Sequence, residues 1–113
     1  MTHKEIEEYI LTLPGAWLDY PFGESTAVYK VGHRDVPGEN EKMFALIVEG
    51  SEPLRISLKT DPELSKTLQE RYESVLPGYH LNKKHWITVL CSGQLSVEEL
   101  HDLICLSHRL VSD

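Results

Sequence analysis

Ile6, Tyr9, Ile10 and Leu13 recur at the i, i+3, i+4, i+7 spacing of one helix face. Ahead of them, Thr2-His3-Lys4-Glu5 has the form of a capping box, with Thr2 accepting from the backbone of Glu5 and Glu5 reaching back. Pro14-Gly15 stops that helix, and an aromatic loop follows from Trp17 to Gly23. The period then changes. Thr26-Ala27-Val28-Tyr29-Lys30-Val31 is β-branched and aromatic and ends at Gly32. A polar loop holding Asp35, Pro37, Gly38, Asn40 and Glu41 leads to Met43-Phe44-Ala45-Leu46-Ile47-Val48. This run is apolar throughout, the pattern of a central strand covered on both faces or of a short core helix. Past the turn Gly50-Ser51-Glu52-Pro53, Leu54, Ile56 and Leu58 alternate with Arg55, Ser57 and Lys59, which predicts a half-buried strand.

Asp61-Pro62-Glu63 announces a helix, with Asp at the N-cap, Pro at the first helical position and a carboxylate at the positive end of the dipole. It should run through Leu64 and Leu68 to about Tyr72, before Pro77-Gly78 breaks the chain again. Trp86 to Cys91 forms a last apolar strand, closed by Ser92-Gly93. Ser96-Val97-Glu98-Glu99 is a second capping box, opening a helix with Leu100, Leu103, Ile104, Ser107 and Val111 on one side. Consecutive strands joined by short turns cannot be parallel. The order therefore predicts an α+β fold in two layers, a mainly antiparallel sheet with helices on one face, and leaves room for a short strand around Leu76 to Leu81.

The 113 residues are expected to form a single domain over 1–113. Hydrophobic residues make up 41% and charged residues 26%, which excludes a disordered or collagenous chain. No apolar run is long enough to cross a bilayer, so no membrane role is expected. Carboxylates stand where a signal peptide would be apolar, and Cys91 and Cys105 are too few for a disulfide framework, so a cytoplasmic location is expected. The net charge of −7 opposes non-specific hold on a polyanion.

One segment departs from that acidic background. Between Ser74 and Val97 there is no Asp or Glu, and Pro77 to Trp86 holds Tyr79, His80, Asn82, Lys83, Lys84, His85 and Trp86. Lysines suit phosphates, Asn and His suit base edges, and exposed rings suit stacking. The simpler reading puts Tyr79 and Trp86 in the core and the lysines on a solvated turn. The loop Trp17 to Gly23 divides in the same way, into a groove lining or an apolar plug over one end of the sheet. His80 and His85 lack a metal-site spacing, no serine sits in a nucleophile elbow, and the glycines are isolated, so neither metal, cofactor nor catalytic residue is expected.

Pro14-Gly15 with Tyr20-Pro21-Phe22-Gly23, Lys42-Met43-Phe44-Ala45, Ser57-Leu58-Lys59 before Asp61-Pro62, and the run Pro77 to Trp86 occur in the order seen in the MmcQ/YjbR family of small bacterial proteins, which the chain resembles over nearly its whole length. The resemblance implies an α-β(3)-α-β(2)-α fold and a proposed DNA-binding role through a double-wing arrangement of loops. On this sequence the expected nucleic-acid-binding residues are His80, Asn82, Lys83, Lys84 and His85, with Arg55 and Lys59 from the neighbouring strand. The alternative is a protein- or peptide-binding adaptor without a nucleic-acid role. Two departures bear on the choice. The loop Gly32 to Glu41 is long and acidic, which would repel phosphate, and His108 stands where the family tends to have tyrosine.

Overall fold

In a computed structural model, which describes residues 2–32, 41–79 and 81–112, the chain builds one antiparallel sheet with its helices on one face. The elements in order are α1 (His3–Ile10), β1 (Trp17–Asp19), β2 (Thr26–Val31), β3 (Lys42–Val48), β4 (Arg55–Lys59), α2 (Pro62–Arg71), β5 (Val75–Pro77), β6 (Trp86–Leu90) and α3 (Val97–Ser112). Six strands lie in the order β1-β2-β3-β4-β6-β5, each pair antiparallel. The expected α+β class and sheet direction hold, as do the strand signals of Thr26–Val31 and of the Leu54–Lys59 alternation. No helix among the described residues is long and apolar enough to cross a membrane.

Helix ends follow their caps. Thr2 and Glu5 make both capping-box bonds, Asp61 accepts from the Leu64 amide at 2.9 Å, and Ser96 and Glu99 exchange bonds of 3.0 and 3.1 Å. Helix α1 ends three residues earlier than its apolar spacing suggests. The amides of Thr12 and Leu13 bond to Tyr9 and Ile10, three residues back, tightening the chain into a turn before Pro14.

The main core fills the space between sheet and helices. Ala27, Tyr29, Ile47, Ile56, Leu58, Ile87 and Val89 point from the strands to Ile6, Ile10, Leu100, Leu103 and Ile104. A β-bulge adjusts the register: Tyr29 pairs with Ala45 and Lys30 with Met43, so Phe44 is the extra residue on β3. Phe44 and Ala45 both turn to the helix side as a result. The Ser107 hydroxyl of α3 donates to the Phe44 carbonyl at 2.5 Å and accepts from the Lys59 amide at 2.8 Å, joining the bulge and the end of β4 to one helix. His108, also buried, contacts the Phe44 ring edge-on and bonds the Pro14 carbonyl at 2.7 Å, tying α3 to the loop after α1. The position that tends to be tyrosine in the family thus serves packing here.

Trp17 to Asp19 corrects the expectation of a plain loop, because it pairs with β2 as an edge strand, Leu18 opposite Tyr29. The late strand also differs, spanning Val75–Pro77 and stopping before Leu81. Its ladder ends for a local reason: after the Gly78 amide bonds Trp86, the Tyr79 amide turns to the Thr88 hydroxyl at 3.0 Å. Gly78 is required there, since an added Cβ would lie 2.6 Å from the Trp86 Cβ.

Candidate functional site on the helix-free face of the sheet

Antiparallel register arranges the second face of the sheet in rows, because cross-strand partners share a face. Val28, Leu46, Ser57, Thr88 and Leu76 form one row across five strands. Lys30 with Met43, and Lys59 with Trp86, lie to one side of it; Thr26 with Val48, and Arg55 with Leu90, lie to the other. Among the described residues no helix covers this face. What covers part of it is the chain between β5 and β6: Leu81 folds back against a small second core of Val28, Leu46 and Trp86. This explains why the Met43–Val48 run reads as apolar on both sides.

Beside Leu81 the cover is incomplete and a cleft of about 350 Å³ opens, lined by Phe22, Thr26, Leu46, Val48, Arg55, Ser57, Tyr79, Leu81 and Thr88. That volume lies within the range of small-ligand sites. Phe22 and Tyr79 come from opposite loops and remain 62% and 56% exposed. The floor is aliphatic at Leu46 and Val48 and hydroxylic at Ser57 and Thr88, whose oxygens are 2.9 Å apart and hydrogen-bonded. Arg55 is the charged residue of the lining, with its guanidinium 6.0 Å from the centre of the Tyr79 ring. Among the described residues no carboxylate pairs with it.

The described residues among those expected to hold nucleic acid do not form one patch. Asn82 is exposed and spends its side-chain oxygen on the Lys84 amide at 2.9 Å, shaping the turn. Lys83 donates its ammonium to the Gly78 carbonyl at 3.0 Å. Lys83 and Lys84 line a shallow depression against α2 with Ser65, Lys66, Gln69 and Glu70, away from the cleft. His85 is exposed, whereas Trp86 beside it is buried in the second core. His80 lies outside the described residues, and so does the acidic loop at 33–40. Lys59 is half-buried beside Trp86, at the opposite end of β4 from Arg55, roughly 13 Å along the strand at about 3.3 Å per residue. Of the six described residues Arg55 alone reaches the cleft.

One charge on this face is matched internally. Lys30, only 7% exposed, is held between Asp19 at 3.0 Å and Glu41, with the Trp17 ring 5.5 Å from its ammonium. Both carboxylates raise its pKa against the desolvation that lowers it, so the ammonium stays charged. On the other side of the sheet, Tyr29 donates to Glu7 at 2.5 Å, and His3 bridges Glu7 and Glu49. Burial, reinforced by the Glu7 carboxylate, pushes the Tyr29 phenol far above its ordinary value. Burial likewise pushes the Cys91 thiol up.

Comparison with known proteins places this architecture. A family model described as YjbR matches residues 11–110. The chain is 40% identical over 111 residues to the uncharacterized protein YbdF of Escherichia coli O157:H7, covering 98% of this chain and 84% of that one. It is 31% identical over 109 residues to the uncharacterized protein YjbR of Escherichia coli strain K12, covering 96% of this chain and 86% of that one. Among solved structures it superposes with a TM-score of 0.90 on the Deinococcus radiodurans protein DR2400, described as a DUF419 domain. There the identity is 38%, over 99% of this chain and 79% of that one. With a family match over most of its length and relatives of this similarity, the chain belongs to the YjbR family.

Proposed function

We propose that the protein is a binding module, not a catalyst, and that its partner docks in the cleft between Phe22 and Tyr79 on the helix-free face. The observation that carries this reading is the pair of exposed rings at the rim of an aliphatic floor. Single exposed apolar residues need no explanation, but two large rings flanking a concave apolar floor have the form of a ligand site. It takes up the groove-lining reading of the aromatic loop, with Phe22 as one wall, and differs from the protein- or peptide-binding alternative in the size of what is bound. A cytoplasmic location goes with the proposal and is supported by the free thiols of Cys91 and Cys105.

The test is a small-fragment screen on ¹⁵N-labelled protein read by amide chemical shifts. Hits should cluster on Phe22, Thr26, Val48, Arg55, Ser57 and Tyr79, and Tyr79→Ala should abolish them. Hits clustering between α2 and α3, or scattered over the surface, would overturn the reading.

The nucleic-acid reading has one observation in its favour: Asn82, Lys83, Lys84 and His85 stand exposed on a single turn. Two lysines remain few beside the six or more phosphate contacts of a strong binder. Anisotropy titrations of single-stranded and duplex DNA at about 50 and 200 mM salt decide it. Saturable binding that weakens with salt and is lost in Lys83→Ala/Lys84→Ala would establish that surface. Absence of binding at the lower salt would dismiss it.

A further inference from the structure

Resting on the cleft reading above, we propose that the ligand is a small organic anion, a flat apolar body carrying a carboxylate or similar oxyanion. Three features of the lining converge on it. The first is Arg55. In a chain with 18 acidic and 11 basic residues, a guanidinium facing an apolar cleft without a carboxylate partner among the described residues is an unspent positive charge. Its planar fork is matched to an oxyanion, and the low-dielectric wall behind it strengthens the attraction.

The second feature is a spare donor at the floor. Ser57 and Thr88 are both buried and share one hydrogen bond, while the Thr88 oxygen also accepts from the Tyr79 amide. Two hydroxyls carry two hydrogens, and the shared bond uses one. If Thr88 donates to Ser57, the Ser57 hydrogen is left over; if Ser57 donates, the Thr88 hydrogen is left over. Among the described residues neither leftover hydrogen has an acceptor. In both cases the cleft offers one O–H to an incoming acceptor, and an anionic acceptor makes the stronger bond. Ser57 and Arg55 are two residues apart on one face of β4, so their Cα atoms are about 7 Å apart and one oxyanion can lie between them.

The third feature is the shape of the remainder. Phe22 and Tyr79 present rings from two sides, and Leu46, Val48 and Leu81 supply aliphatic surface, which suits a flat apolar body. A cleft of about 350 Å³ encloses one such group and not a length of polymer. Ligands bearing a cation would place like charge against Arg55.

Three isosteric probes separate these elements: 2-naphthoate, 2-naphthamide and 2-naphthylmethylammonium, titrated into the full chain with amide shifts and calorimetry. Naphthoate should bind at the cleft about tenfold more tightly than the amide, and the cation more weakly than either. Arg55→Gln, at an exposed position, should remove the preference for naphthoate, so that naphthoate and naphthamide bind alike. Equal affinity of naphthoate and naphthamide at the cleft, or a preference that survives Arg55→Gln, would overturn the anion inference and leave the cleft reading standing. Shifts confined to other surfaces, or absent for all three probes, would overturn both.

Discussion

Removing the Ser107 hydroxyl tests how the bulge in β3 is tolerated. Phe44 is the extra residue, so its carbonyl has no place in the regular ladder, and at the end of β4 the Lys59 amide is in the same position. Both are satisfied by one side chain that is itself fully buried, with bonds of 2.5 Å to the carbonyl and 2.8 Å from the amide. Ser107→Ala deletes one oxygen, leaves little new volume, and strands a donor and an acceptor together. A buried backbone group without a partner costs about 1–3 kcal/mol, and a carbonyl with its second lone pair tends to the low end. The expected loss is therefore about 2–4 kcal/mol, a large part of the stability of a domain this size. Equilibrium urea denaturation measures it: with a slope of about 1–3 kcal/mol/M, the midpoint should fall by roughly 1–2 M without a change of slope. Ser107→Cys keeps the shape with a somewhat larger atom but bonds weakly, and should be at least as destabilised as the alanine variant. Ser112→Ala, which removes a hydroxyl bonded back to the His108 carbonyl on the exposed side of the same helix, should cost less than about 0.5 kcal/mol. A Ser107→Ala loss no larger than that of Ser112→Ala would refute the claim that one hydroxyl holds both groups.

Three further outcomes follow from the same geometry. Gly78→Ala forces a Cβ to within 2.6 Å of the Trp86 Cβ and should cost about 1–3 kcal/mol, read as a lowered thermal midpoint; an unchanged midpoint would show that the strands do not approach so closely. Ser96→Ala breaks the capping box of the 16-residue helix α3 and should cost about 1 kcal/mol in urea denaturation, while Ser96→Asp should recover most of it. Tyr29 is raised in the folded state by burial and by Glu7, so its stabilising contribution is complete below the ordinary tyrosine value of 10.0 and is lost as pH rises above it. Stability should fall above pH 10 with about 1.4 kcal/mol per pH unit from this one proton, and Tyr29→Phe should lessen the slope by that amount; identical slopes would remove Tyr29 as the cause.

The parts of this fold that were legible in the sequence are those in which one local period meets one environment. Leu54, Ile56 and Leu58 alternate because β4 turns one side to the helices, and Leu100, Leu103, Ile104, Ser107 and Val111 repeat because α3 lies along that same core. The bulge at Phe44 was hidden for the complementary reason: in a run that is apolar on both faces, an extra residue interrupts no visible pattern. Strand β1 was missed because three residues hold too little alternation to register, and its partner β2 supplies the pairing.

The cleft was the least legible feature, because its chemistry depends on direction, which composition lacks. Lys83 and Lys84 stand out as charge in an acid-free stretch, yet one ammonium closes a turn onto Gly78 and both line the side against α2. Ser57, Thr88 and Thr26 read as ordinary strand residues, since β-branched and hydroxyl side chains are common on half-exposed faces. Register alone sets Ser57 opposite Thr88, 31 positions apart in the chain, and so brings two hydroxyls together in the lining of the cleft. Arg55 was visible as the polar partner in the β4 alternation, and Phe22 as an aromatic in a loop. What joins them is the return of the chain at Gly78, where the absent Cβ lets β5 approach Trp86 and sends Tyr79 across the sheet to form the second wall. Replacing that glycine should therefore disturb the ligand face and the fold together, whereas Arg55→Gln should alter binding alone.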